Sequence, residues 1–388
     1  MATPERVRLR RARVAATVAF AVNGAMPATL LARYAEVRSA LDVSTGLFGI
    51  LIAALTVGAA LTFSVPGVLL RRFGSRTIAV SGTVATTFAF VLAGVGVMTG
   101  NVWLFALGLL VAGFCDSTVD VAQNAQGLRV QAALGKSVLT SMHAGWSVGA
   151  AVGGAVGTLA ATLGVPLVVH LVIWAIVCSA AMALAGSQFL PVHRGEDEEA
   201  PGRIPASVWK YLVPILLVAI AGILVEDIGN NWSAVLLNTE RGVDAAQSGV
   251  ALTTLLSAQF VGRLFGDAAI DRFGRRPTLI ASLVGILASL NLIAWATEPW
   301  LTLLGFALAG VSCAVTVPLA YSLADGIPGM RAHSGVTLLA WIMRVATIGL
   351  TPAIGGISAL TSLPAAISLM SLLAAAALAA MLWRPKKS

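Results

Sequence analysis

Charge is scarce in this chain of 388 residues. Asp, Glu, Lys and Arg together make up 11% of it, where a soluble domain carries about 25%, so a water-soluble globule is excluded before any motif is read. Cysteine is scarcer still. Cys115, Cys178 and Cys313 each fall inside an apolar run without metal-ligand spacing, which argues against a disulfide framework and a zinc site and leaves core packing as their expected role. No stretch shows the strict alternation of a membrane barrel strand. Nothing resembles a phosphate-cradling glycine loop, so an ATP-driven pump would need another subunit. No His/Asp metal cluster or Ser/His pairing appears, so neither enzyme chemistry nor a cofactor is expected. The formal charge of +8 would suit nucleic acid, but most of it lies in short segments between apolar runs, and no nucleic-acid partner is expected.

What is abundant is apolar: 58% of the residues are hydrophobic. A span needs about 20 mostly apolar residues, and about twelve such runs can be placed, which predicts an all-α membrane protein. Spans 1 to 6 fall at roughly 12–33, 46–70, 77–98, 103–128, 138–163 and 166–189. Spans 7 to 12 fall at roughly 211–237, 247–270, 277–296, 300–324, 334–358 and 363–383. The basic start followed by an apolar run imitates a signal peptide, but the run is long and more spans follow, so a retained first helix is expected. Residues 191–206 hold Glu196-Asp197-Glu198-Glu199 and no apolar periodicity. They read as a cytoplasmic linker between an N-terminal half, 1–190, and a C-terminal half, 207–388.

The halves share a motif. Arg71-Arg72-Phe73-Gly74-Ser75-Arg76 returns 200 residues later as Asp271-Arg272-Phe273-Gly274-Arg275-Arg276. In each copy a glycine supplies a tight turn between two spans and arginines stay in water and headgroups. Duplicated halves of this kind are a mark of secondary transporters. Outside the spans, Arg33, Arg38 and Arg241 lie on one side of the membrane, and the remaining Lys and Arg share a side with both termini. Basic loops mark the cytoplasm, so both termini are expected there.

Twelve spans in two halves, with a glycine–arginine turn after spans 2 and 8, resemble the major facilitator superfamily over the whole chain. That family's loop signature reads roughly Gly-x-x-x-Asp-Arg-x-Gly-Arg-Arg. The second copy fits from Asp271 to Arg276, with Asp267 standing where the leading glycine is expected. The first has Gly67 but carries Arg71 in place of the acid. The resemblance implies cytoplasmic gating turns formed by Gly67, Arg72, Gly74 and Arg76 and by Asp271, Arg272, Gly274, Arg275 and Arg276. Arg263 and Asp267, one turn apart in span 8, read as a local pair near that gate. Three stretches, Asp120 to Gln126, Ser141 to Gly149 and Glu226 to Val235, are similar to a bacterial branch of rhizopine-transport-like proteins akin to fucose permeases. Asn231 stands where that branch is expected to have Asp. Drug:proton antiporters fit less well, because no Arg or Lys occurs between Trp103 and Gly127.

Ionisable groups inside spans are expensive and mark function. Span 4 carries Asp116, Asp120 and Asn124, four residues apart and so on one helical face. Span 1 carries Asn23, span 5 His143, span 7 Glu226, Asp227 and Asn230, and span 11 Arg344. In the resembled family spans 1, 4, 7 and 10 line the central cavity, and three of those four hold unusual polar groups here. These nine residues are the candidates for substrate binding or coupling. Each has a plainer alternative: the acids could simply face water, and His143 could be a packing histidine. Arg344 needs an acidic partner, Asp116 or Asp120 being the expected one. Four deep acids against one arginine leave a charge of −3 uncompensated, so at least one acid is expected to hold a proton. Asp120, one turn nearer the cytoplasm than Asp116, is the expected coupling acid. The expectation is a monomeric inner-membrane secondary transporter. It takes either a small polar, sugar-like solute with protons or an amphipathic compound in exchange for them.

Overall fold

A computed structural model describes residues 4–62, 65–135, 138–191, 208–325, 327 and 334–382. The described residues form helices and no strand. Nine of these helices are long and apolar enough to cross a membrane. Three shorter apolar stretches, Thr45–Ala60, Val250–Gly266 and Val345–Leu360, supply spans 2, 8 and 11, which completes the expected twelve. Large apolar side chains such as Phe88, at 68% exposure, and Leu184, at 73%, stand bare on the surface. Exposure to water would cost about 25 cal/mol for each Å², whereas a lipid tail accepts it.

Span 1 runs through Pro4–Leu31, span 4 through Val102–Leu134, span 5 through Leu139–Thr162 and span 6 through Leu167–Gly186. Span 4 starts where Asn101 accepts the backbone N–H groups of Trp103 and Leu104, at 3.1 and 3.0 Å, the usual way of satisfying orphan donors at a helix start. Span 2 differs from the single run expected. Its helix Thr45–Ala60 gives way to a turn at Leu61 and Thr62, and the next stretch, Val65–Met98, is two helices meeting at the non-helical Gly74, the first ending span 2 and the second forming span 3. Pro66, lacking an N–H, suits the first turn of a new helix and not the interior of an old one. Thr62 Oγ1 ties the break to span 4 through Ser117 Oγ at 3.1 Å.

The chain divides into two compact units. One comprises Met1–Val43, Ile50–Glu196 and Asp244–Thr253, the other Ser44–Gly49, Asp197–Val243 and Thr254–Ser388. From residue 192 to 207 the expected linker lies outside the described residues.

Within the first unit, spans 1 and 5 meet backbone to backbone. A Cβ on Gly149 would lie 1.9 Å from the Ala21 carbonyl oxygen, and one on Gly153 or Gly157 would lie 2.3 Å from that of Ala25 or Thr29. Gly145 faces Thr17 in the same way. The glycine spacing of span 5 is thus a packing surface, the use that small residues serve where membrane helices approach closely. Spans 2 and 4 touch similarly, Gly113 against the Leu55 carbonyl. In the second unit Gly310 of span 10 meets the Leu255 carbonyl of span 8. Leu55 and Leu255 are 200 residues apart, as are the basic turns.

The turns repeat in detail. Gly74 has φ 78° and ψ 155°, and Gly274 has φ 86° and ψ 159°, a region open in practice to glycine alone. The guanidinium carbon of Arg72 lies 5.2 Å from the Phe73 ring centroid, and that of Arg272 lies 5.4 Å from Phe273. Arg276 Nη2 donates to the Met381 carbonyl at 2.8 Å, satisfying the end of span 12. Asp271 and Arg275 are exposed. Gly67 lies in the helix that ends span 2. Gly274→Ala should destabilise the purified protein by about 1–3 kcal/mol through backbone strain. Denaturant unfolding in detergent measures it, and an unchanged midpoint would contradict the assignment.

Candidate functional site

Each unit holds its own polar cluster at membrane depth. In the first, Asn23 is 4% exposed, and its Nδ2 donates to Asp116 Oδ1 at 2.6 Å. The Trp146 indole Nε1 donates to Asn23 Oδ1 at 3.1 Å. Spans 5, 1 and 4 are thereby joined in one chain of hydrogen bonds. Asp120 is served differently: its Oδ1 accepts from Gln123 at 3.2 Å and Asn124 at 3.0 Å, both on its own helix. Asp120 and Asn124, read from the sequence as sharing a helical face, are bonded to each other along it. His143 is exposed, with its ring edge-on to Phe20 at 4.7 Å.

The second cluster is built on a defect in span 7. Helix Trp209–Asp227 passes into a π-helical turn, Ile228–Trp232, before Ser233–Arg241 completes the span. A π turn inserts an extra residue and recurs at functional sites. Asp227 Oδ1 accepts from Asn231 Nδ2 at 3.0 Å and from Thr351 Oγ1 of span 11. Asn231 also donates to Thr351 Oγ1 at 3.2 Å. The position where the resemblance leads one to expect a carboxylate is therefore occupied by a donor to the neighbouring acid. Asp227 Oδ2 and Trp232 Nε1 are buried, with no hydrogen-bond partner among the described residues. Asn230 is half-buried on the same turn. Glu226 Oε1 accepts from Gln259 at 2.6 Å and from Arg263 at 3.4 Å, so Arg263 reaches span 7. The side chain of Asp267, its expected partner, lies outside the described residues, as does that of Arg344 within the helix Ser334–Leu360. Among the described residues no cluster could hold a metal ion.

A third polar group escaped the sequence reading, which set Arg33 in a loop and gave His170 no role. Arg33 is 2% exposed. Its Nε and Nη2 grip both oxygens of Glu36 at 2.8 and 2.7 Å, and Nη2 also reaches the Val165 carbonyl at 2.9 Å. Its Nη1 lies 3.2 Å from His170 Nδ1, and His170 Nε2 lies 3.0 Å from Thr29 Oγ1. A guanidinium only donates, so Nδ1 accepts and the imidazole is neutral with its proton on Nε2. The available signal was the three-residue spacing of Arg33, which precedes the short helix Tyr34–Leu41 that follows span 1, and Glu36 in its first turn.

The sequence model of the Major Facilitator Superfamily matches residues 215–388. Over 327 residues the chain is 28% identical to an uncharacterised transporter, y4wD, of Sinorhizobium fredii, covering 83% of this chain and 85% of that one. Over 348 residues it is 26% identical to an uncharacterised MFS-type transporter of Yersinia pestis, covering 88% and 87%. The crystal structure of the nucleoside transporter NupG superposes with a TM-score of 0.71 at 12% identity, covering 97% of this chain and all of that one. The fold is that of a major facilitator transporter. The transporter is a multi-pass membrane protein and not an enzyme, and its relatives support the superfamily that the duplicated turns resemble. Within that fold, spans 1, 4 and 5 bring together the polar side chains of the first unit, and spans 7, 8 and 11 those of the second.

Proposed function

We propose that this transporter moves a small polar, sugar-like solute across the bacterial cytoplasmic membrane by alternating access, coupled to protons. Both termini are assigned to the cytoplasm by the basic loops, and the working unit is the monomer. The observation that carries the reading is the Asn23–Asp116 hydrogen bond, a deep carboxyl bonded across two helices by a neutral amide. Amide, hydroxyl and carboxyl groups at depth suit a solute rich in hydroxyls, and the second unit offers the same chemistry at Asp227, Asn231 and Thr351. Asp116 rather than Asp120 is assigned the proton. The Asp116 carboxyl is bonded from span 4 to Asn23 of span 1, so its partner depends on how those two helices stand to each other.

The test is a pH gradient imposed on proteoliposomes containing the purified transporter, with labelled hexoses, pentoses, polyols and nucleosides supplied. At least one of these should accumulate against its gradient, and a protonophore should abolish the accumulation. Expulsion of an amphipathic dye with no movement of any of these solutes would replace this reading by efflux.

A further inference from the structure

We infer that Trp146 is a positioning residue, whose indole N–H fixes which way round the Asn23 amide stands and so compels Asn23 to present N–H to Asp116. The inference rests on the reading of Asp116 as the coupling carboxyl. An indole nitrogen can only donate, whereas a primary amide donates from one end and accepts at the other. Trp146 Nε1 stands 3.1 Å from one end of the amide and Asp116 Oδ1 stands 2.6 Å from the other. Turning the amide over would set the indole N–H against an N–H and forfeit that bond. The orientation of Asn23, ordinarily a matter of assignment, is therefore chemically determined. The chain of hydrogen bonds has a direction, from Trp146 through Asn23 to Asp116.

The backbone keeps the indole in place. A Cβ on Gly24 would lie 2.3 Å from the Trp146 carbonyl oxygen, so span 5 is pressed against span 1 at this level. Asn23 is almost wholly buried, and little water reaches it to compete for the amide. Asp116 Oδ1 is thus held as an acceptor, and any proton on this carboxyl sits on Oδ2. Without the indole N–H, the amide gains freedom to turn. Its oxygen would then accept from the Asp116 O–H, giving the acid form a partner that the native arrangement denies it.

The experiment uses N,N′-dicyclohexylcarbodiimide, which reacts with a carboxyl in its acid form, on the full-length protein in detergent at neutral pH. Modification at Asp116 is followed by peptide mass spectrometry, with Asp116→Asn identifying the site. Trp146→Phe keeps an aromatic ring and removes the donor, and it should label Asp116 several-fold faster than the wild type. Because Trp146 acts through Asn23, adding Trp146→Phe to Asn23→Ala should change the rate no further. Equal labelling of wild type and Trp146→Phe, including none in either, overturns the proposal. So does a Trp146→Phe effect that persists in full in the Asn23→Ala background, since that is mere packing. If Trp146→Phe does not fold, the ultraviolet resonance Raman difference between wild type and Asn23→Ala must show one indole losing its hydrogen bond, and no difference overturns it. Proton-driven flux that survives Asp116→Asn would remove Asp116 as the coupling carboxyl while leaving the Trp146 relay standing, so the two failures are distinguishable.

Discussion

Asp116→Asn should abolish proton-driven accumulation while leaving solute exchange across the membrane near the wild-type rate. The substitution keeps size and shape. With the Asn23 N–H held toward position 116 by Trp146, the new amide oxygen accepts the same hydrogen bond, so the packing of spans 1, 4 and 5 is preserved. What is lost is the ability to take up and release a proton. Each pH unit across the membrane is worth about 1.4 kcal/mol per proton, a factor of about ten in the concentration ratio. At a gradient of one unit the accumulation ratio should therefore fall about tenfold, to the level seen with no gradient. Asp120→Asn should fall less, because the bond that joins spans 1 and 4 is made by Asp116 and stays intact. Wild-type accumulation by Asp116→Asn would pass the coupling role to Asp227, a buried acid of the second unit.

The largest loss of stability is expected from Arg33→Ala. This guanidinium makes four contacts from an almost fully buried position, to both oxygens of Glu36, to the Val165 carbonyl and to His170. Truncation leaves His170 Nδ1 without its donor and a carboxylate without its counter-charge. Breaking a buried ion pair costs about 3–5 kcal/mol. Because Glu36 is 35% exposed, water recovers part of that, and about 3 kcal/mol is the expected loss. Lysine should rescue only part, since an ammonium cannot serve two carboxylate oxygens, a carbonyl and an imidazole in one plane. Thermal unfolding of the detergent-purified protein decides the matter, and an Arg33→Ala midpoint within a degree of wild type would refute the structural role.

The architecture could be read because lipid imposes it. Long apolar runs and duplicated arginine turns survive in one dimension, and Gly74 and Gly274 took the same backbone conformation that their shared motif suggested. Contacts along a single helix were equally accessible, as with Asp120 and Asn124. What sequence spacing does not carry is pairing between helices. Asn23 and Asp116 are 93 residues apart, and Arg33 and His170 are 137 apart. Only the packing of spans 1, 4 and 6 brings these groups together. The π turn of span 7 was hidden for the same reason, since its Trp232 is seated against Gly49 and Gly355, far away in sequence. Asn231 is a different case. Its four-residue spacing to Asp227 is legible in the sequence, and an amide at that position donates to the acid where a carboxylate could not.

The glycine face between spans 1 and 5 behaves as a rack. Thr17, Ala21, Ala25 and Thr29 on one rail oppose Gly145, Gly149, Gly153 and Gly157 on the other, always 128 residues further on, so both rails rise in the same direction. One notch is four residues, or about 6 Å of helix. A smaller slip drives a carbonyl into a backbone already at contact distance, so the two rails travel as a single strut. Asn23 and Trp146 ride on opposite rails of that strut and keep their spacing wherever it goes. Only the Asn23 amide reaches from this pair across to span 4, at Asp116.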